Sequence, residues 1–184
     1  FLFSINGQKV SDHELDPGWT NYDKKIQYVT FDVTKLLHPG KNVIGAEVGN
    51  GWFLKNDEHY TFSFPAFMPA NPDPYAAFGK ELVLAVKFVL KYVDGTQEIF
   101  YADESFQVKE HPVKMSNVYG SETYDAELEQ QGWNQAGFDT AGWNQAKIVP
   151  LQDEPKGELV EQFQPAVKVI RRCPVRYLYS VSGR

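Results

Sequence analysis

The chain has 184 residues, 42% of them hydrophobic and 15% aromatic, with a formal net charge of −6 and a pI near 5.2. That length and apolar content suit one folded domain with its own core, and they exclude an intrinsically disordered chain. The acidic balance, without any run of Lys and Arg, argues against nucleic acid as a partner, and the longest apolar stretch, Leu82 to Val93, holds Lys87 and Lys91 and is too short to span a bilayer, so no membrane partner is expected.

Period-two alternation dominates from the first residue. Phe1, Phe3 and Ile5 alternate with Leu2 and Ser4, and Asn6-Gly7 follows, a pair that tolerates the positive φ of a two-residue hairpin turn. The return strand is predicted over Gln8 to Leu15 and closed by Pro17-Gly18. The next strand is predicted from Ile26 to Val33, with Val29, Phe31 and Val33 on one face. Thr34 to Leu37 reads as one helical turn, closed by Pro39-Gly40. Asn42 to Val48 resumes the sheet until Gly49-Asn50-Gly51 breaks it, immediately before Trp52.

Residues from about 55 to 80 differ from the rest. Pro65, Pro69, Pro72 and Pro74 lie among aromatics with weak periodicity, which predicts a long surface loop or insertion. Leu82 to Val93 is then predicted as a strand with both faces largely apolar, as in the centre of a sandwich. Asp94-Gly95 turns it into Thr96 to Tyr101. Shorter strands are predicted at Phe106 to Lys109, Lys147 to Pro150, Ala166 to Ile170 and Val175 to Val181, those from about 147 to 184 leading on toward a further domain. No segment has the pattern of a long amphipathic helix. Many short strands separated by Gly, Pro and Asn predict an all-β fold, a sandwich or jelly roll, as a single domain over residues 1–184. The near-duplicates GWNQAGFD from Gly132 and GWNQAKIV from Gly142 are too isolated for a solenoid and read as two turns, each anchored by a buried Trp. The chain opens at Phe1 without an initiating Met and is read as a fragment, which leaves its compartment open.

Chemistry is sparse. His13, His38, His59 and His111 are dispersed with no zinc spacing, and there is no twelve-residue calcium loop. A calcium ion held by scattered carbonyls and carboxylates leaves no linear motif, so calcium stays open as a cofactor and its ligands are unassigned. No phosphate-binding Gly-rich loop precedes a helix, and no Ser occupies a nucleophile elbow. Cys173, the single cysteine, excludes an internal disulfide and is expected as a small buried apolar side chain. A glycosidase needs two carboxylates flanking the scissile bond. The densest acidic cluster is Glu122, Asp125, Glu127 and Glu129. On a strand the last three share one face, which reads as a solvated face, and no acid–base pair is identified. The better signal is aromatic residues beside small polar ones at strand ends: Trp19, Tyr22 and Asp23 after Pro17-Gly18; Asn50 and Trp52 at the Gly-rich break; Tyr119, Glu122, Tyr124 and Asp125 around Gly120. Rings there either bind sugar or plug the ends of the core.

Two blocks carry a resemblance. INGQKVSDHELDPGWTNYDKKIQYVTFDVTKLLHPGKNVIGAEVGNGW, from Ile5 to Trp52, and GSETYDAELEQQGWNQAGFDTAGW, from Gly120 to Trp143, resemble the amino-terminal domain of bacterial α-L-rhamnosidases. The first matches the family's opening hairpin, its Asp-Pro-Gly-Trp-Thr loop, its Asp-Val-Thr-x-Leu-Leu turn and its Gly-Asn-Gly-Trp end. The second departs from the family pattern at Ser121 and at Glu127, where Arg is usual. The resemblance implies a jelly-roll, galactose-binding-like domain appended to a hydrolase that releases terminal α-L-rhamnose. It places the catalytic carboxylates in a downstream α/α barrel, so no catalytic residue is assigned here. It also implies a rhamnose-containing carbohydrate and that barrel as partners. No calcium or sugar site is transferred residue by residue. The leading expectation is an accessory domain serving substrate recognition or packing. An autonomous carbohydrate-binding module predicts an exposed aromatic platform. A structural spacer predicts that Trp19, Trp52, Trp133 and Trp143 are all buried. A complete small glycosidase would need a cleft with paired carboxylates.

Overall fold

Asn6 and Gly7 take φ of 50° and 79° in the computed structural model, the left-handed pair that a tight hairpin turn requires. Residues 1–51, 53–54, 81–117, 121–150 and 155–177 are described here. The Pro-rich insertion expected at about 55–80 lies outside them, as do Trp52, Tyr119 and the last part of the strand expected at Val175 to Val181.

The turn joins β1 (Leu2–Ile5) to β2 (Gln8–Lys9), and β1 pairs on its other edge with β5 (Ile44–Glu47), both antiparallel. The Asn6 side chain closes this unit. Its Oδ1 accepts from the Val43 amide at 2.8 Å, and its Nδ2 donates to the Leu36 carbonyl at 3.0 Å and to Asn42 Oδ1 at 2.8 Å. That ties the hairpin to the one-turn 3-10 helix Thr34–Leu36, the helical turn expected there. Ile5 is the one hydrophobic side chain fully buried among the described residues. Around it Phe1 and Phe3 meet edge to face at 5.9 Å, Phe1 meets Phe31 at 6.5 Å, and Phe3 meets Phe88 at 6.3 Å. Gly45 has no room for a side chain: an added Cβ would lie 2.8 Å from Trp133 Cζ3, Asn134 Cβ and Ser4 Oγ. Backbone, ring and amide therefore stack directly, with Asn134 Nδ2 donating to Ser4 Oγ at 3.0 Å.

The return strand expected over Gln8 to Leu15 is two pieces. The Ser11 hydroxyl accepts from the His13 amide at 3.2 Å and turns the chain out of the first sheet. β3 (His13–Glu14) then pairs antiparallel with β13 (Val167–Lys168). β4 (Lys25–Tyr28) pairs in parallel with β12 (Glu158–Glu161). The ladder of the strand expected at Ile26 to Val33 thus stops at Tyr28. Val29, Phe31 and Val33 remain half-buried between exposed Thr30 and Asp32, so the alternation survives without partners. β6 (Lys87–Lys91) and β7 (Gln97–Tyr101) form the hairpin expected around Asp94-Gly95. It is shorter than Leu82 to Val93 because a ladder lasts only as long as its partner; one further bond, from the Ala102 amide to the Val86 carbonyl, extends it.

β8 (Gln107–Val108) pairs with β11 (Asn144–Gln145), so the strand expected at Lys147 to Pro150 lies a few residues earlier. β9 (Val113–Asn117) and β10 (Ser121–Tyr124) form a hairpin with an irregularity between Thr123 and Tyr124 that the sequence reading missed. Of Ala166 to Ile170 only β13 is extended into a ladder, and Val175 to Tyr177 joins none. The described residues hold β-strands and two 3-10 turns, with no α-helix, so the fold is all-β. Cys173 is exposed, not buried as expected: it lies in the unpaired run after β13, which has no layer over it.

Candidate functional site

The loop between β3 and β4 carries the first expected group, and its backbone is held from below by glutamine amides. Gln27, 3% exposed, donates to the Gly18 carbonyl at 2.8 Å and to Gln164 Oε1 at 2.7 Å, while its own oxygen accepts from the Phe163 amide at 3.0 Å. Gln162 accepts from the Gly18 amide at 2.8 Å, and Gln164 donates to the Trp19 carbonyl at 3.1 Å. Asp16, 5% exposed, receives His13 Nδ1 at 2.8 Å and Gln162 Nε2 at 3.4 Å. Buried amides and carboxylates are stable only when so satisfied. Gly18 is part of the fit, since a Cβ there would fall 1.7 Å from Gln164 Oε1.

On this support Trp19 stands 54% exposed, which rules out the fully buried tryptophans that a pure spacer predicts. Tyr22 is half-buried and meets Phe53 edge to face at 5.4 Å; burial raises its phenol pKa. Asp23 is exposed, with its amide donating to Asn21 Oδ1 at 3.1 Å. Asn50 is half-buried and its carbonyl accepts from the Leu54 amide at 3.2 Å. Through Tyr22 and Phe53 the structure brings the first two groups together.

The third group sits on the β9–β10 hairpin. Glu122 and Tyr124 are exposed on β10. The Tyr124 hydroxyl donates to a Glu129 oxygen, and that hydrogen bond, with the charges of Glu129, Glu122 and Glu47, raises the phenol pKa. Asp125 does not extend the strand. Its carboxylate accepts from the Glu127 amide at 3.0 Å and caps a 3-10 turn over Ala126–Leu128. Asp125, Glu127 and Glu129 therefore do not share a strand face as expected. The hairpin is tied to β5 by His111 Nε2 at 3.1 Å from Glu47. Among the described residues no three His, Cys, Asp or Glu are gathered as a metal set, so calcium is given no part below.

Trp133 and Trp143, the two turns of the near-duplication, lie together with centroids 6.4 Å apart, half-buried rather than buried. Trp143 Nε1 donates to Gln130 at 3.0 Å. The sequence reading passed over Gln27, Gln162 and Gln164. Only one signal was available for them: Gln162-Phe163-Gln164 places two amides on one side of an extended segment.

A second surface is apolar. On β6–β7, Val89 faces Ile99 and Lys87 faces Tyr101, and Val89, Ile99 and Tyr101 are all exposed. Leu159, Phe163, Ile170, Val175 and Tyr177 are exposed as well, Leu159 by 66%.

A family model described as the alpha-L-rhamnosidase N-terminal domain matches residues 1–171. The chain is 38% identical over 171 residues to an alpha-L-rhamnosidase of Formosa agariphila, covering 93% of this chain and 17% of that protein. Its fold is similar to the crystal structure of Streptomyces avermitilis alpha-L-rhamnosidase complexed with L-rhamnose, at TM-score 0.76 and 30% identity, covering 95% of this chain and 16% of that one. It is also similar to native alpha-L-rhamnosidase from Aspergillus terreus, at TM-score 0.76 and 31% identity, covering 92% and 18%. This chain belongs to the alpha-L-rhamnosidase N-terminal domain family, and it spans under a fifth of the length of these relatives.

Proposed function

We propose that the chain is a non-catalytic accessory domain of an α-L-rhamnosidase, seated on the rest of its parent through the bare apolar surface of β6–β7 and residues 159–177. The exposure of Val89, Ile99, Tyr101, Leu159, Phe163, Ile170, Val175 and Tyr177 is the observation that carries this reading. Isolated two-stranded hairpins are marginal in water, and contiguous apolar patches of this kind mark interfaces. The parent would release terminal α-L-rhamnose with carboxylates outside this chain, in the α/α barrel that the family resemblance implies; the small share of each relative that the chain covers supports that division.

A second reading, substrate recognition, is favoured by Trp19 alone. Its ring is half in water on a backbone fixed by Gln164 and Gln27, the arrangement of a stacking platform at a loop.

Hydrogen exchange compares the isolated chain with the full-length parent. Amides of residues 87–101 and 159–177 exchange more slowly in the parent, by about tenfold or more, if the parent covers them. Equal exchange in both contexts overturns the packing role.

A further inference from the structure

Where β3, β4, β12 and β13 meet, a concavity of about 330 Å³ opens, with His13, Tyr28, Thr30, Glu161, Gln162 and Lys168 in its lining. Its polar groups fall into two sets. Some are already engaged: Gln162 holds the Gly18 amide, and Lys168 Nζ is paired with Asp12 at 2.9 Å. The others carry no hydrogen bond or ion pair among the described residues: the Glu161 carboxylate, the Thr30 hydroxyl and the Tyr28 phenol, together with Nε2 of His13. His13 is also oriented from behind, by Asp16 at Nδ1 and by Phe31 edge to face at 5.6 Å.

We propose that this concavity binds a single neutral sugar ring. The free set combines a carboxylate acceptor, hydroxyls that both donate and accept, and an imidazole fixed in direction, which together answer the paired donor and acceptor character of vicinal hydroxyls. Tyr28, 44% exposed, adds an aromatic face for the apolar side of the ring. Other ligand classes fit worse. The one cationic lining residue is neutralised by Asp12, with Glu161 close by, so an anion gains little. No metal set is gathered among the described residues, and the lining is too polar for an apolar guest. The volume lies at the small end of ligand pockets, about 300 to 1,000 Å³, as a one-ring guest requires. The proposal does not rest on the packing role, because none of these four free groups belongs to the hairpin.

The test is amide chemical-shift mapping of the isotope-labelled 184-residue chain titrated with L-rhamnose and, separately, D-glucose. The expected result is saturable shifts of residues 13, 28–30 and 161–168 with at least one of the sugars, at a Kd of order millimolar. Glu161→Gln and Thr30→Val each weaken that binding about fivefold or more, while Glu122→Gln on the β9–β10 hairpin leaves it unchanged. Both replaced residues are exposed, and thermal melts of each variant verify the fold. The proposal is overturned by no saturation with either sugar up to roughly 100 mM, by shifts centred on residues 19–23 instead, or by Glu161→Gln binding as tightly as the unaltered chain.

Discussion

Two regions of this domain invert the ordinary distribution of polarity in opposite directions. The seam of β3, β4, β12 and β13 buries Asp16 and Gln27 and matches each with partners, so it needs nothing from outside. The β6–β7 hairpin satisfies its backbone in one ladder but leaves Val89, Ile99, Phe100 and Tyr101 in water. A polar group inside and an apolar group outside are both costly, but the remedies differ. The first is cured within the chain by hydrogen bonds. The second is cured only by another surface. Stability measured on the chain alone should therefore report the seam, and stability measured in the parent should report the hairpin.

The largest expected effect breaks the seam. Gln27→Leu removes two donated bonds and orphans the Phe163 amide, and should destabilise the chain by about 3 kcal/mol in urea denaturation. Ile99→Thr should change that same denaturation by less than about 0.5 kcal/mol, although it removes more apolar surface. A cost for Ile99→Thr as large as for Gln27→Leu would mean that the hairpin is core and the contrast is false.

The smallest effect sharpens the contrast through pH. Asp32, Asp94 and Asp103 each accept the hydroxyl and then the amide of the residue two positions on, Thr34, Thr96 and Ser105, and these bonds lower their carboxyl pKa values below 3.8. A carboxyl lowered on folding contributes stability that is present above its unfolded value and lost as pH falls through its folded one. Melting temperature should thus drop as pH falls below about 4, and Asp94→Asn, at the hairpin turn, should make that drop shallower with little change near neutrality. An unchanged acid limb would show that the Asp94 turn contributes nothing to the hairpin.

Local chemistry was legible in the sequence and distant pairing was not. Asn6-Gly7, Asp94-Gly95 and the Thr34 turn write their geometry within a few residues, because φ preference and side-chain-to-backbone bonds act at that range. The partner of a strand is written nowhere locally, so β12 and its parallel register with β4 went unseen, and the ladders expected at Ile26 to Val33 and Leu82 to Val93 came out too long. Asp125 shows the same limit at a candidate site: an acidic alternation reads as a strand until the carboxylate takes up a cap. The concavity at β3, β4, β12 and β13 had no sequence signal, since its walls come from opposite ends of the chain.

That separation also sets an order in time. Gln27 and the Phe163 amide it accepts are 136 residues apart, and Asp16 and Gln162 are 146 apart. At roughly 5 to 20 residues per second of synthesis, the loop bearing Trp19 leaves the ribosome about 7 to 30 seconds before the glutamines that fix it. Until then Gln27 and Asp16 are hydrated chain, and β4 is an open strand edge in want of a neighbour. The domain is thus finished by its last-made strands, and its first-made loop is the one that waits.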